Sequence, residues 1–420
     1  MNRSALGLAC AVVATFGVRT TLAQPWSFTR IADTSTIVPG SSVPFSVFEL
    51  PSIDGGIVAF PGYAGTTSGP AGVYTGSGGA LTTIADRSTA VPGGVGNFTG
   101  FGLGTSTWPS MHAGAVAFHG SEQGSLVPTG LYLREGGQLL NVADFQTPVP
   151  GGSGGNFFPF GRPSLENGRV VFQAAEFPAG GQNGIYSWQS GALSIIADKS
   201  TLIPGGAGTF TNFFDCSLDQ GRLAFSAEGA SNQHGLYLAD TGGALTRLYD
   251  SNTVVPGGNG GGFTFLSRVS LSGESVAFWA LGGGQEGFYT DVGGSLDFIV
   301  HSGTLAPGTP GAVFTGFGDI ALDNGVVAFQ ASLSNGLIGV FSTHTGSVQR
   351  IIGSGDPLDG RTVEFAFFGG QGLDGDSIAT YVYFTDGSRG IYMATIPAPG
   401  GAALVALGMI ASARRRRSAA

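Results

Sequence analysis

Residues 157–198, FFPFGRPSLENGRVVFQAAEFPAGGQNGIYSWQSGALSIIAD, contain four short β-strands and the turns between them. Phe157 to Leu165 is the first strand. Glu166-Asn167-Gly168 then makes a turn, because Asn-Gly tolerates the positive φ angles of a tight hairpin. Arg169 to Ala174, rich in Val and Phe, is the second strand. A loop leads to the third, Gly184 to Trp188, and Ser190-Gly191 turns into the fourth, Ala192 to Ala197, which ends at Asp198. Four strands in roughly 50 residues is the size of one propeller blade.

The same pattern recurs along the chain. Thr-x-x-Pro-Gly stands at Thr36, Thr89, Thr147, Thr201, Thr253 and Thr304, with a degenerate copy at Asp356 to Gly360. A strand ends in Phe60, Phe118, Phe172, Phe225, Phe278, Phe329 and, degenerately, Thr380, at spacings of 58, 54, 53, 53, 51 and 51 residues. Gly-aliphatic-aromatic triplets begin at Gly72, Gly130, Gly184, Gly235, Gly287, Gly339 and Gly390. Seven copies of three markers define seven blades. The chain enters with a fourth strand only (Trp26 to Asp33) and leaves after a third strand (Gly390 to Ile396). Together these complete one blade, so the expected fold is all-β: a seven-bladed β-propeller of four-stranded blades, its ring closed by the N-terminal strand. Closure removes exposed sheet edges, whereas an open solenoid would need capping units.

Composition agrees. Of 420 residues 75 are Gly and 31 are Phe, charged residues are only 11%, and Lys199 is the single lysine. The net charge is -9. Without Arg3, Arg19 and Arg414 to Arg417 the balance is 12 basic against 27 acidic residues, a net of -15. An acidic, lysine-poor surface excludes nucleic acid, whose phosphates need Lys and Arg. With Cys10 in the leader, Cys216 is the one cysteine of the folded part, so neither an internal disulfide nor a cysteine zinc site is expected.

Both ends read as addresses. Residues 1–23 have the build of a signal peptide: Arg3, an apolar run from Ala5 to Val18, and cleavage expected between Ala23 and Gln24. Residues 24–396 form the repeat region. Residues 397–420 begin with Pro397-Ala398-Pro399, continue through an apolar stretch from Gly400 to Ala413, and end with Arg414, Arg415, Arg416 and Arg417 before a short tail. The arginines would stay cytoplasmic by the positive-inside rule, and the apolar stretch is short against the ~20 residues of a spanning helix.

This three-part ending resembles the PEP-CTERM sorting signals of Gram-negative bacteria, with Ala398 where those signals carry glutamate. The second-strand segments Gly56 to Phe60, Gly114 to Phe118, Gly221 to Phe225 and Gly325 to Phe329 resemble the tandem repeats of NxxGxxAF surface proteins. Here the leading asparagine is absent, usually replaced by Leu (Leu165, Leu218, Leu271, Leu322), Val171 stands for the alanine in one copy and Glu274 for the glycine in another. The resemblance implies export, transient membrane insertion, an exosortase-like processing enzyme as partner, and residence at the envelope surface or in the extracellular matrix. It implies no catalytic activity.

Candidate sites are few. The aromatic pairs Phe45/Phe48, Phe98/Phe101, Phe157/Phe160, Phe210/Phe213, Phe314/Phe317 and Phe365/Phe368, with Phe263/Leu266 deviating, read as inter-blade packing in preference to sugar platforms. Asp33, Asp86, Asp144, Asp198 and Asp250, replaced by His301 and Gly353 in the last copies, read as turn caps in preference to calcium ligands. The five histidines never sit three or four residues apart, so no zinc cluster, cofactor site or catalytic set is expected. The loops between second and third strands vary most (61–70, 119–128, 176–183, 228–234 and 282–286), and a binding site is expected among them. The expected role is a non-enzymatic surface protein that binds envelope or extracellular polysaccharide or another protein. The alternative is an extracellular carbohydrate-active enzyme. An enzyme should break the repeat with charged residues converging in the central channel, whereas a scaffold should line it with repeated small or apolar residues.

Overall fold

The computed structural model describes residues 26–396 except 66–68, 70, 103–107, 123–127, 179–180 and 231–232. Residues 1–25 and 397–420, with the leader and sorting segment read above, lie outside the described residues.

Seven antiparallel sheets form a seven-bladed propeller; six are built from strands that follow one another along the chain, and the seventh takes its outer strand from the N-terminal end. The third blade consists of Asn156–Glu166, Arg169–Phe177, Asn183–Gln189 and Ala192–Asp198, within a few residues of the expected strands. Asn167 and Gly168 have φ angles of 48° and 72°, the double positive φ of a type I′ turn. The ring closes as expected. Ser27–Asp33 pairs antiparallel with Arg389–Thr395, so the N-terminal strand becomes the fourth, outer strand of the seventh blade and covers the edge that Arg389–Thr395 would otherwise expose.

The core is a set of aromatic clusters, each shared by two neighbouring blades. In the third blade Phe157 meets Tyr186 edge-on at 4.8 Å and Phe172 at 5.7 Å, the arrangement aromatic quadrupoles favour. Phe45, Phe48, Phe60 and Tyr74 of the first blade pack with Ala379, Tyr381 and Ile391 of the seventh. The aromatic pairs are thus inter-blade packing, with one correction. In the seventh blade Phe365 is only half-buried. Strand register places Val363 and Ala366 opposite Phe384 and Val382, where Phe314 and Phe317 lie opposite Leu333 and Ala331 in the sixth. Phe384, fully buried, supplies the missing ring from the neighbouring strand.

Two sets of hydrogen bonds join neighbouring blades at their first, innermost strands, the upper at five of the seven junctions and the lower at all seven. In the upper ring a buried serine hydroxyl accepts the amide of the following blade. Leu165 N–H donates to Ser110 Oγ at 2.9 Å, Leu218 to Ser164 at 2.9 Å, Leu271 to Ser217 at 3.0 Å and Leu322 to Ser270 at 2.9 Å. At the closing junction the Ile53 amide takes the Gln371 carbonyl instead, at 3.0 Å.

The lower ring is complete at all seven junctions. The residue two positions after each serine site accepts an N–H from the next blade's tight turn. Asp54 accepts Ala113, His112 accepts Asn167, Glu166 accepts Gln220 and Gly221, and Asp219 accepts Gly273. Ser272 then accepts Asn324, Asp323 accepts Gly375, and Asp374 accepts Gly56.

Ser164→Ala strands the buried Leu218 amide without an acceptor, which costs ~1–3 kcal/mol. Equilibrium denaturation should show its midpoint falling, while Ser190→Ala, at an exposed turn, leaves the midpoint unchanged.

Candidate functional site

The first strands converge on the central axis and line a channel. At the end where the first-to-second-strand turns lie, a vestibule of about 720 Å³ is walled by residues of all seven blades, among them Asp54, His112, Asp219, Asp323 and Asp374. These are members of the lower ring, so the vestibule's carboxylates are also the acceptors that hold the blades together.

Deeper in, a narrow cavity is lined by Trp108, Arg162, Asp215, Arg268, Asp319 and Gln371 together with neighbouring strand backbone. Five of these share one register position. Two residues before each serine site, the blades carry Leu50, Trp108, Arg162, Asp215, Arg268, Asp319 and Gly370 in order. The repeat is therefore broken at this position, with Arg-Asp-Arg-Asp in four successive blades.

The charges are spent on one another and on the backbone. Arg162 of the third blade reaches across to Asp319 of the sixth at 2.9 Å, and its guanidinium lies 3.5 Å over the Trp108 ring. Arg268 donates to the carbonyls of Phe317 and Gly318 at 2.6 Å. Asp215 accepts Ser267 Oγ at 2.6 Å and the Arg268 amide at 3.0 Å. Arg268 has φ 52°, a left-handed conformation uncommon for a long side chain, and the strand register slips between Ser267 and Ser270. Gln371 Nε2 donates to the Pro163 carbonyl at 2.9 Å, a second tie across the ring. Burial pushes the Cys216 thiol beside Asp215 up to about 12, so it stays protonated at neutral pH and is a poor nucleophile.

The other sequence candidates take structural parts. Asp33 Oδ1 accepts the Ser35 amide and hydroxyl at 2.9 and 2.6 Å, and the Thr36 hydroxyl in turn accepts the Asp33 amide at 2.9 Å. The same turn recurs at Asp86, Asp144, Asp198 and Asp250. Burial works to raise the carboxyls of Asp33 and Asp86, but the Ser35 and Ser88 contacts outweigh it and both sit below the ordinary range.

Of the variable loops, Gly282–Glu286 is a tight glycine turn inside a hairpin, and Glu176 is taken up by backbone amides. Parts of the other loops lie outside the described residues. The charged cavity is on the inner strands, which sequence reasoning passed over because one non-repeating residue per blade carries no local motif. Among the described residues no group of three or more His, Cys, Asp or Glu side chains is arranged to hold a metal.

Asp374 is the vestibule carboxyl with a displaced titration. Burial raises it, and Asp54 and Asp323 raise it further, against the pull of the Gly56 and Gly55 amides. A carboxyl raised in the native state penalises folding as pH climbs from its ordinary value of 3.8 through the raised one. Asp374→Asn keeps an oxygen for the Gly56 amide and removes that penalty. Melting curves should show the variant gaining on the parent as pH rises through this window and holding the gain at neutral pH. An equal deficit at pH 3.5 and pH 7 would contradict the assignment.

A profile of a family of unknown function, DUF7453, matches residues 11–182 and 166–403. No curated protein matches the chain. Among solved structures, a puromycin-hydrolysing peptidase of Mycobacterium tuberculosis is 15% identical with a TM-score of 0.44, over 80% of this chain and 49% of that one. An ancestral GH74 enzyme is 13% identical with a TM-score of 0.46, over 89% and 51%. TolB from Acinetobacter baumannii is 12% identical with a TM-score of 0.37, over 83% and 63%. The chain spans about half the length of the first two.

Proposed function

The chain belongs to the DUF7453 family, and we propose that it is an exported, non-enzymatic binding propeller. In this reading its terminal segments deliver it to the envelope surface or extracellular matrix, where it binds polysaccharide. The observation that carries the non-enzymatic part is the state of the channel. Its arginines and aspartates satisfy one another and the backbone, and a thiol held protonated is a poor attacking group. Such a constellation stiffens the axis of the ring, leaving ligand contact to the loops and the vestibule. The acidic, lysine-poor exterior suits a neutral or cationic polymer over nucleic acid.

One observation favours the second reading, a carbohydrate-active enzyme. The repeat is broken by charges in the channel, and Asp374 pairs a raised carboxyl with neighbouring carboxylates, as a general acid in glycoside hydrolysis requires.

The two readings separate on a glycan array probed with the full chain, followed by incubation of the retained glycans and product analysis. Selective retention without products is expected. Cleavage that disappears in Asp374→Asn would overturn the binding reading in favour of the enzymatic one.

A further inference from the structure

The outer part of the second blade holds a buried carboxylate that its neighbours do not satisfy. Glu122 is 1% exposed, and neither Oε1 nor Oε2 has a hydrogen-bond partner among the described residues. Tyr132 Oη and Asn141 Oδ1, buried in the same blade, are likewise without partners. Asn141 Nδ2 donates to Asp144 Oδ2 at 2.7 Å, which fixes the amide with its oxygen turned away from that carboxylate.

The third blade, the other one with a glutamate at this position, shows such a carboxylate fully satisfied. Glu176, 3% exposed, stands at the equivalent place. Its Oε1 accepts the Ser153 amide at 2.7 Å, the Ser153 hydroxyl at 3.0 Å and the Gly155 amide at 2.6 Å, while Oε2 accepts the Gln182 amide at 2.7 Å. Residues 149–157, VPGGSGGNF, correspond in the second blade to VPGGVGNF, residues 91–98. Val95 replaces Ser153 and removes the hydroxyl, the shorter loop deletes the glycine whose amide bonded Oε1, and Pro128 replaces Gln182 and removes that N–H. The carboxylate is kept, three of its four donors are gone, and the fourth, the amide now belonging to Val95, is not in hydrogen-bonding geometry with it.

Three of the other six blades set a cation against the acidic turn, while the first, third and fifth carry Thr83, Ile195 and Phe298 there. Arg247, Arg350 and Arg30 lie opposite the third-strand aromatics Tyr237, Phe341 and Tyr392. They pair with Asp250 at 2.7 Å, Asp356 at 3.2 Å and Asp33 at 3.1 Å. In the second blade the residue opposite Tyr132 is Asn141. Neither Glu122 nor Asp144 forms an ion pair among the described residues. Glu122 and Asn141 flank the same Gly93-Gly94 turn and Asn141 is hydrogen-bonded to Asp144, at the position where three sister blades carry a guanidinium.

We propose that Glu122, Asp144, Asn141 and Tyr132 form a site for a hard divalent cation, and that the ion it takes is Ca²⁺. An all-oxygen donor set on an irregular glycine loop suits calcium, which accepts flexible geometry and completes its shell with carbonyls and water. Magnesium demands a near-ideal octahedron. The cation supplies the charge that Arg247, Arg350 and Arg30 supply elsewhere, and it gives the orphaned oxygens a partner.

Calorimetric titration of chelator-treated full-length protein with CaCl2 should show about one ion bound per chain, with a rise in melting temperature. Glu122→Gln should lose the site or weaken it by at least 10–100-fold, and the exposed control Asp297→Asn should leave it intact. Asp144→Asn is the second variant, should Glu122→Gln not fold, and the same loss is expected. The absence of both heat and melting shift in the parent, or undiminished affinity in either folded site variant, would overturn the proposal.

Discussion

Each blade is fastened to the next at the channel wall by hydrogen bonds that leave its own sheet. A four-stranded blade buries only one pair of faces, and its inner strand has one edge without a sheet partner. The serine hydroxyls of Ser110, Ser164, Ser217 and Ser270 take amides from that edge of the following blade. The residue two places on takes the turn amide below. Buried amides must find acceptors, so these contacts fix the spacing between blades and, around seven junctions, the diameter of the channel. Everything at the axis inherits its position from them, including the Arg162–Asp319 tie and the acidic vestibule.

This constraint also explains why the vestibule is acidic. Carboxylates are the stronger acceptors for backbone N–H groups, and Asp54, Glu166, Asp219, Asp323 and Asp374 hold the tight turns of their neighbours. Their mutual repulsion is visible at Asp374, whose carboxyl is raised by Asp54 and Asp323 after burial. The fold and the candidate site thus use the same side chains, and the acidity of the mouth follows from assembly before any ligand is considered.

Much of the fold was legible in the sequence because the signals are local. Asn167-Gly168 announces its own turn, and counterparts of Phe172 and Tyr186 mark the other copies, Thr380 and Phe341 being the departures. Ser164 recurs as Ser52, Ser110, Ser217 and Ser270, and the place of Glu166 is filled by changing acceptors, but the partners of Ser164 and Glu166 lie 54 residues on, in the next copy, and no spacing within one repeat reveals that. Trp108, Arg162, Asp215, Arg268 and Asp319 were invisible for the opposite reason. They occupy one register position without repeating, so along the chain they resemble the scatter of any variable residue. Phe365 misled because Phe384 had taken over the ring that the degenerate seventh copy lacks at Val363. Glu122 becomes informative only beside Glu176, when the donors around the two are compared.

Native-state hydrogen exchange at the amides of Leu165, Leu218, Leu271 and Leu322 tests the inter-blade fastening most directly. If the latches hold the ring as one cooperative unit, all four should exchange with a common free energy equal to that of global unfolding. Four different, lower free energies, one for each blade opening by itself, would contradict the account.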